Sequence, residues 1–258
     1  MIRLDKYLAD MGIGTRSEVK NIIRKKQISV NGIPISKPET KVDITKDTVC
    51  YQGKPVAYEP YVYYMLNKPG GCVSAVKDNL YPTVLSFIEN PNGYDLFPVG
   101  RLDLDTEGLL LITNDGTLAH ELLSPKKHVT KTYFAKVQGR VTREDVQRFS
   151  LGLDIKEEKP TLPATLVIEK SDDISEIRVS ITEGKYHQVK RMVAACGNRV
   201  VALHRIRVGA YELPANLKSG EWCWLRGPES VLGEGNFLVR CRSEERRVGK
   251  ECRSRWSP

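Results

Sequence analysis

The chain has 258 residues, is 40% hydrophobic and 28% charged, and carries a formal net charge of +8. That composition fits a soluble globular protein, with room for one large domain or a small one and a medium one. Its apolar runs are far too short to span a membrane, and no apolar core follows Met1-Ile2-Arg3-Leu4-Asp5-Lys6 to make an export signal, so a cytoplasmic protein is expected.

Six cysteines (Cys50, Cys72, Cys196, Cys223, Cys241 and Cys252) are scattered without a C-x-x-C pair. Reduced thiols are expected rather than a disulfide framework or a zinc site. The charge is uneven. Residues 1–58 hold eleven Lys/Arg and six Asp/Glu, residues 242–258 hold six and three, and the remainder is neutral. A basic head on a neutral body points to a polyanion held by the head.

In the head, Leu4, Tyr7, Leu8 and Met11 recur at helical spacing, and Gly12 and Gly14 end that helix. Thr15-Arg16-Ser17-Glu18 has the pattern of a capping box, so a second helix starts there. Its residues Val19, Ile22 and Ile23 face a core. Arg16, Lys20, Arg24, Lys25 and Lys26 lie around the other side and the end. Ile28-Ser29-Val30-Asn31-Gly32-Ile33-Pro34-Ile35 reads as a hairpin around an Asn-Gly turn. The two prolines of Lys54-Pro55-Val56-Ala57-Tyr58-Glu59-Pro60 mark a linker.

The body spans about residues 61–241. Tyr61 to Leu66 is rich in strand formers, and Asn67-Lys68-Pro69-Gly70-Gly71 ends it. Then comes Gly100-Arg101-Leu102-Asp103-Leu104-Asp105-Thr106-Glu107-Gly108, a polar loop before the buried apolar run Leu109–Ile112. In an extended loop both Leu would point one way and both Asp the other. A polar loop pinned to a rigid strand is a usual seat of chemistry. Asp115 is placed to cap a helix over residues 117–123. Further strands are predicted over 131–137, 166–169, 174–181 and 200–208. A helix capped by Thr142 is predicted around 144–151, and another opens in Glu183–Met192 and ends at Gly197. On the latter, His187, Lys190 and Arg191 share one face. Short mixed strands with few helices indicate an α+β fold with a mainly antiparallel sheet.

The runs G-R-L-D (100–103), T-E-G-L-L-L (106–111) and T-N-D-G (113–116) resemble the catalytic motif of the RNA pseudouridine synthases. The likeness is greatest to the small-subunit ribosomal RNA branch that carries an N-terminal RNA-binding domain. The head resembles that domain, the S4 type, through R-L-D-K-Y-L-A, T-R-S-E and S-V-N-G. It departs where members usually have a glycine before the hairpin and this chain has Lys25-Lys26-Gln27.

The resemblance implies a division into an S4-like domain at 1–58 and a synthase domain at 61–241. It also implies roles, residue by residue. Asp103 is the essential carboxylate, Tyr133 the aromatic beside the target base, and Lys185 the basic partner of the aspartate. Arg101 takes the place of a base that leaves its helix. Lys68 stands in the family's first motif, near the substrate, as an RNA contact. The basic helix residues Arg16, Lys20, Arg24, Lys25 and Lys26 contact phosphate. Asp105 is read as a plain loop carboxylate and His187 as a structural hydrogen-bonding residue.

The implied activity is conversion of a uridine in ribosomal RNA, of the small subunit (16S) first, to pseudouridine. The implied partner is rRNA or a pre-ribosomal particle, and the expected state is a cytosolic monomer without metal or cofactor. Two rivals stand beside it within the RNA world: the same chemistry on large-subunit 23S rRNA, and a non-catalytic RNA-binding or ribosome-assembly protein. A metal-dependent phosphoesterase using Asp103 and Asp105 ranks below them, because supporting ligands at metal spacing are lacking. The tail 242–258 lacks hydrophobic period and resembles the translation of a sequencing-adapter oligonucleotide, so it is read as non-native.

Overall fold

The computed structural model describes residues 1–90 and 93–225. The tail at 242–258 lies outside the described residues. The described residues divide into two compact units: Met1–Val62 with residues 90 and 93–95, and Tyr63–Glu89 with residues 96–225. No helix of the described residues is long and apolar enough to cross a membrane.

The first unit begins with β1 (Ile2–Arg3), α1 (Leu4–Asp10) and α2 (Arg16–Arg24). α1 buries Leu4, Tyr7 and Leu8, the residues that its periodicity singles out. Both halves of the capping box form on α2: the Thr15 amide donates to Glu18 Oε2 at 2.8 Å, and the Glu18 amide to Thr15 Oγ1 at 3.4 Å. Val19 and Ile23 then pack with Ile28, Val42 and Val49 in one core.

α2 ends on Lys26 in the left-handed region (φ 57°), its amide donating to the Ile23 carbonyl at 2.8 Å. This is where the glycine was missing, and lysine adopts the conformation at a steric cost. β2 (Ile28–Val30) and β3 (Ile33–Ile35) flank Asn31 and Gly32, both at positive φ as a primed hairpin turn requires. β4 (Lys41–Val42) pairs with β1. β5 (Val49–Tyr51) and β6 (Lys54–Pro55) complete a sheet of order β3-β2-β5-β6. The stretch read as linker thus starts as an edge strand, where Pro55 is tolerated.

The second unit is built on a sheet that, among the described residues, has nine strands: β7 (Tyr63–Lys68), β8 (Phe97–Pro98), β9 (Glu107–Thr113), β10 (Lys131–Gln138), β11 (Thr165–Lys170), β12 (Ile174–Ile181), β13 (Arg199–Val208), β14 (Tyr211–Glu212) and β15 (Trp222–Trp224). The main path runs β11-β12-β10-β13-β9-β7-β15. The pairings are antiparallel except at the centre, where β13 and β9 run parallel through two residue pairs, His204 with Glu107 and Arg205 with Gly108.

At that seam only glycine fits. Gly108 has φ 102°, and a Cβ there would stand 2.3 Å from the Arg205 carbonyl oxygen. β9 reads as a continuous apolar run because Leu109 to Ile112 are all buried. Around the sheet lie α3 (Gly116–Leu123), α4 (Arg143–Leu151) and α5 (Gln188–Ala195). Asp115 caps α3 through the amides of Thr117 and Leu118, and accepts a hydrogen bond from Tyr63 Oη at 2.9 Å. Thr142 caps α4 in a box with Asp145.

Candidate active site

Four segments meet around one cavity of about 370 Å³: the loop 100–106 before β9, the strand β10, the turn 183–187 before α5, and the strand β13. Asp103 and Tyr133 both line it, and Arg101 stands exposed at its edge. The fold thus brings the loop and β10 to one cavity.

The loop is fixed from below by Lys68. This side chain is fully buried, and its ammonium donates to the carbonyls of Pro69 (3.0 Å), Asp103 (3.1 Å), Leu104 (3.4 Å) and Thr106 (2.9 Å). Burial pulls its pKa below the ordinary 10.5. The reading of Lys68 as an RNA contact is corrected: it has no surface to offer a phosphate, and all its donors turn inward onto the backbone that carries Asp103. From the other side, Ser74 Oγ accepts from the Leu102 amide at 3.1 Å and donates to the Leu102 carbonyl at 3.2 Å.

The carboxylate of Asp103 is about one-quarter exposed. Its Oδ2 lies 3.1 Å from the Lys190 ammonium and accepts from Thr106 Oγ1 at 3.3 Å. Its Oδ1 lies 3.5 Å from His187 Nε2. Lys190 also donates to Asp105 at 2.6 Å. The loop turns at Leu104-Asp105, so both carboxylates reach one ammonium instead of merely sharing a face. Burial alone would lower the Lys190 pKa, but the hydrogen bonds to Asp105 and Asp103 outweigh it and hold the pKa above the ordinary 10.5. That same hydrogen bond, first among the causes, keeps the Asp105 carboxyl below its ordinary range.

Lys185 is the second correction. It lines the cavity, but its ammonium donates to the carbonyls of Lys159 (2.6 Å) and Pro160 (3.0 Å) and lies 3.7 Å from Glu157. The cation beside Asp103 is Lys190, more than one helical turn further on. The reason is local. His187 takes a left-handed conformation (φ 48°) as the N-cap, so α5 starts at Gln188, later than periodicity placed it. Gln188, buried, buckles the turn: its Oε1 accepts from the Lys185 amide at 2.9 Å and its Nε2 donates to Glu183 at 2.8 Å. Arg191 clasps the neighbouring loop through Glu157 and the Ile155 carbonyl. The sequence signal for Lys190 was its placement on the face of His187.

Tyr133 is buried in the middle of β10, opposite Val179 on β12 and Arg205 on β13. Arg16, Arg24, Lys25 and Lys26 of the first unit are exposed and Lys20 is half-buried; among the described residues none of the five makes a salt bridge. No three of His, Cys, Asp and Glu gather into a metal-sized cluster among the described residues.

Around this cavity stand an aspartate in a loop, a lysine paired with it and a buried tyrosine; comparisons with known proteins supply the family. Residues 62–195 match the RNA pseudouridylate synthase family and residues 2–49 the S4 domain. Ribosomal small subunit pseudouridine synthase A of Salmonella typhimurium is 41% identical over 86% of this chain and 95% of its own length. An uncharacterized RNA pseudouridine synthase of Bacillus subtilis is 43% identical over 86% and 93%. A crystal structure of a pseudouridylate synthase superposes with a TM-score of 0.60 at 38% identity, covering 88% of this chain and 96% of that one. The chain belongs to the RNA pseudouridine synthase family, in the branch that joins an N-terminal S4 domain to the synthase body.

Proposed function

We propose that this enzyme converts a specific uridine of small-subunit 16S rRNA to pseudouridine, with Asp103 as its catalytic carboxylate. The observation that carries the reading is Asp103 held over the cavity by Lys190, across from Tyr133. The named small-subunit relatives support the choice of RNA.

The reaction breaks the C1′–N1 bond and makes C1′–C5, with loss of the C5 proton and gain of one at N1. Neither net hydrolysis nor redox change takes place. The target leaves its stack at a cost of a few kcal/mol. Arg101, exposed at the cavity edge, fills the vacancy, and Tyr133 packs on the extruded uracil. Asp103 acts on the nucleoside through its carboxylate, and Lys190 at 3.1 Å holds that group over the cavity. The basic face of α2 holds phosphates and sets register rather than reading bases. The partner is rRNA or a pre-ribosomal particle, bound by a monomer.

The test is a pseudouridine map of rRNA from cells carrying the wild-type chain or Asp103→Asn. Loss of a single 16S site supports the reading. A lost site in 23S rRNA moves the target to the large subunit. An unchanged map sinks the enzymatic reading in favour of an RNA-binding role.

A further inference from the structure

Two cations of the cavity have no part in the scheme above. Arg205, 4% exposed, stands on β13 directly opposite Tyr133. Its Nε donates to the Leu109 carbonyl at 2.9 Å; among the described residues its two terminal nitrogens have no partner. Lys131 lies two residues before Tyr133 on the same strand face and also lines the cavity. Its ammonium donates to the Val129 carbonyl at 3.1 Å and meets no carboxylate among the described residues. Burial lowers the Lys131 pKa, and the charge of Arg205 lowers it further.

The carboxylates of the same cavity are engaged elsewhere. Asp103 pairs with Lys190, and Glu183 accepts from Gln188 Nε2 and the Leu162 amide. A guanidinium and an ammonium that line one cavity with no carboxylate to pair them make that cavity a seat for an anion. In the strand register the Cβ atoms of such opposed residues stand about 5 Å apart, and Arg205 and Tyr133 line the same cavity.

We propose that Arg205 and Lys131 bind the uracil oxygens and stabilise the negative charge on the base while it is detached from the sugar. This rests on the pseudouridine synthase reading and assigns two further catalytic residues to it. When C1′–N1 breaks, its electron pair leaves with the uracil and the charge spreads to O2 and O4. The electron deficit of the sugar is met at Asp103. C5 then returns a pair to C1′, its proton is lost, and N1 takes one up. The charge exists only between these two events, so groups that meet it speed the reaction without tightening ground-state binding. A backbone phosphate is the rival ligand, but Arg205 is 4% exposed and lines the cavity with Tyr133, whereas phosphates follow the exposed surface.

The test compares Arg205→Gln and Lys131→Met with wild type in single turnovers at saturating 16S transcript, alongside RNA affinity. Arg205→Gln is expected to slow turnover about 10²–10³-fold, and Lys131→Met about tenfold, with affinity within about twofold of wild type. RNA carrying 5-fluorouridine at the target, followed as loss of that nucleotide, is the second arm. Fluorine stabilises the detached base, so the defects should shrink severalfold there. Equal defects on both RNAs would mark a merely structural role and overturn the proposal. So would lost affinity and a flatter salt dependence at unchanged rate, the signature of a phosphate site. Lys131→Met, at a half-buried position, carries the test if Arg205→Gln fails to fold. Wild-type protein inactive on every rRNA would instead defeat the proposed function itself.

Discussion

The basic residues along α2 and those that fix the loop carrying Asp103 are handled in opposite ways. In the first unit Arg16, Arg24, Lys25 and Lys26 stand exposed, and among the described residues no carboxylate pairs with them. In the second, Lys68 is wrapped in carbonyls, Lys190 bridges two aspartates, and Lys185 and Arg191 share Glu157. The difference teaches that a lysine's role follows from who supplies its counter-charge. Where the chain supplies none, the partner comes from outside and affinity depends on salt. Where the chain supplies it, the lysine holds a backbone or a carboxylate in place.

The largest effect that would break this division is expected at the aspartate pair. Lys190→Met should cut turnover about 10²–10³-fold with RNA affinity nearly unchanged, while Lys185→Met should cost about tenfold or less. Single-turnover rates and binding isotherms for both variants decide it. The reverse order would return Lys185 to the place beside Asp103 that the motif suggested.

Lys68→Met comes next. It strands four carbonyls and should destabilise the second unit by about 3 kcal/mol, lowering its melting temperature by roughly 6–12 °C. An undisturbed melt with weakened RNA binding would make Lys68 a surface contact after all.

On the exposed side, replacing Lys20, Arg24 and Lys25 together by Gln should leave saturated turnover and the melt alone. The salt dependence of rRNA affinity should fall by about one unit of slope for each phosphate contact removed. An unaltered slope would deny α2 its phosphates.

The smallest effect sharpens the contrast further. Lys26→Gly relieves a left-handed lysine and should stabilise the first unit by up to about 1 kcal/mol in denaturant melts. A slight loss of affinity from the missing charge should accompany it.

How legible all this was in the sequence depended on range. Signals contained within four residues were read correctly: the Thr15–Glu18 box, the Asn31-Gly32 turn, the Asp115 cap and the buried run Leu109–Ile112. Asp103 and Tyr133 were singled out because long motifs carried them, and the fold brings both to one cavity. What escaped was tertiary. Nothing near Lys68 says that the carbonyls of 103–106 will close around it. Nothing near Lys185 says that Glu157 and the 159–160 carbonyls will claim it. The left-handed His187, which delays α5 and hands Asp103 to Lys190, is a single-residue choice that helical periodicity is blind to. Arg205 looked like any strand arginine until its place over Leu109 gave it a buried setting.

The parallel seam of β9 and β13 has a consequence for the birth of the molecule. Arg205 and Leu109 are 96 residues apart in the chain, and a ribosome adding roughly 5–20 residues each second leaves about 5–20 s between them. During that interval β7 and β9 can pair, and Asp103 already exists, yet its lysine and the strand that floors its cavity have still to emerge. The nascent protein therefore carries Asp103 without Lys190 and without β13. Competence arrives late and all at once, when β13 slides in against Gly108 and closes the ladder.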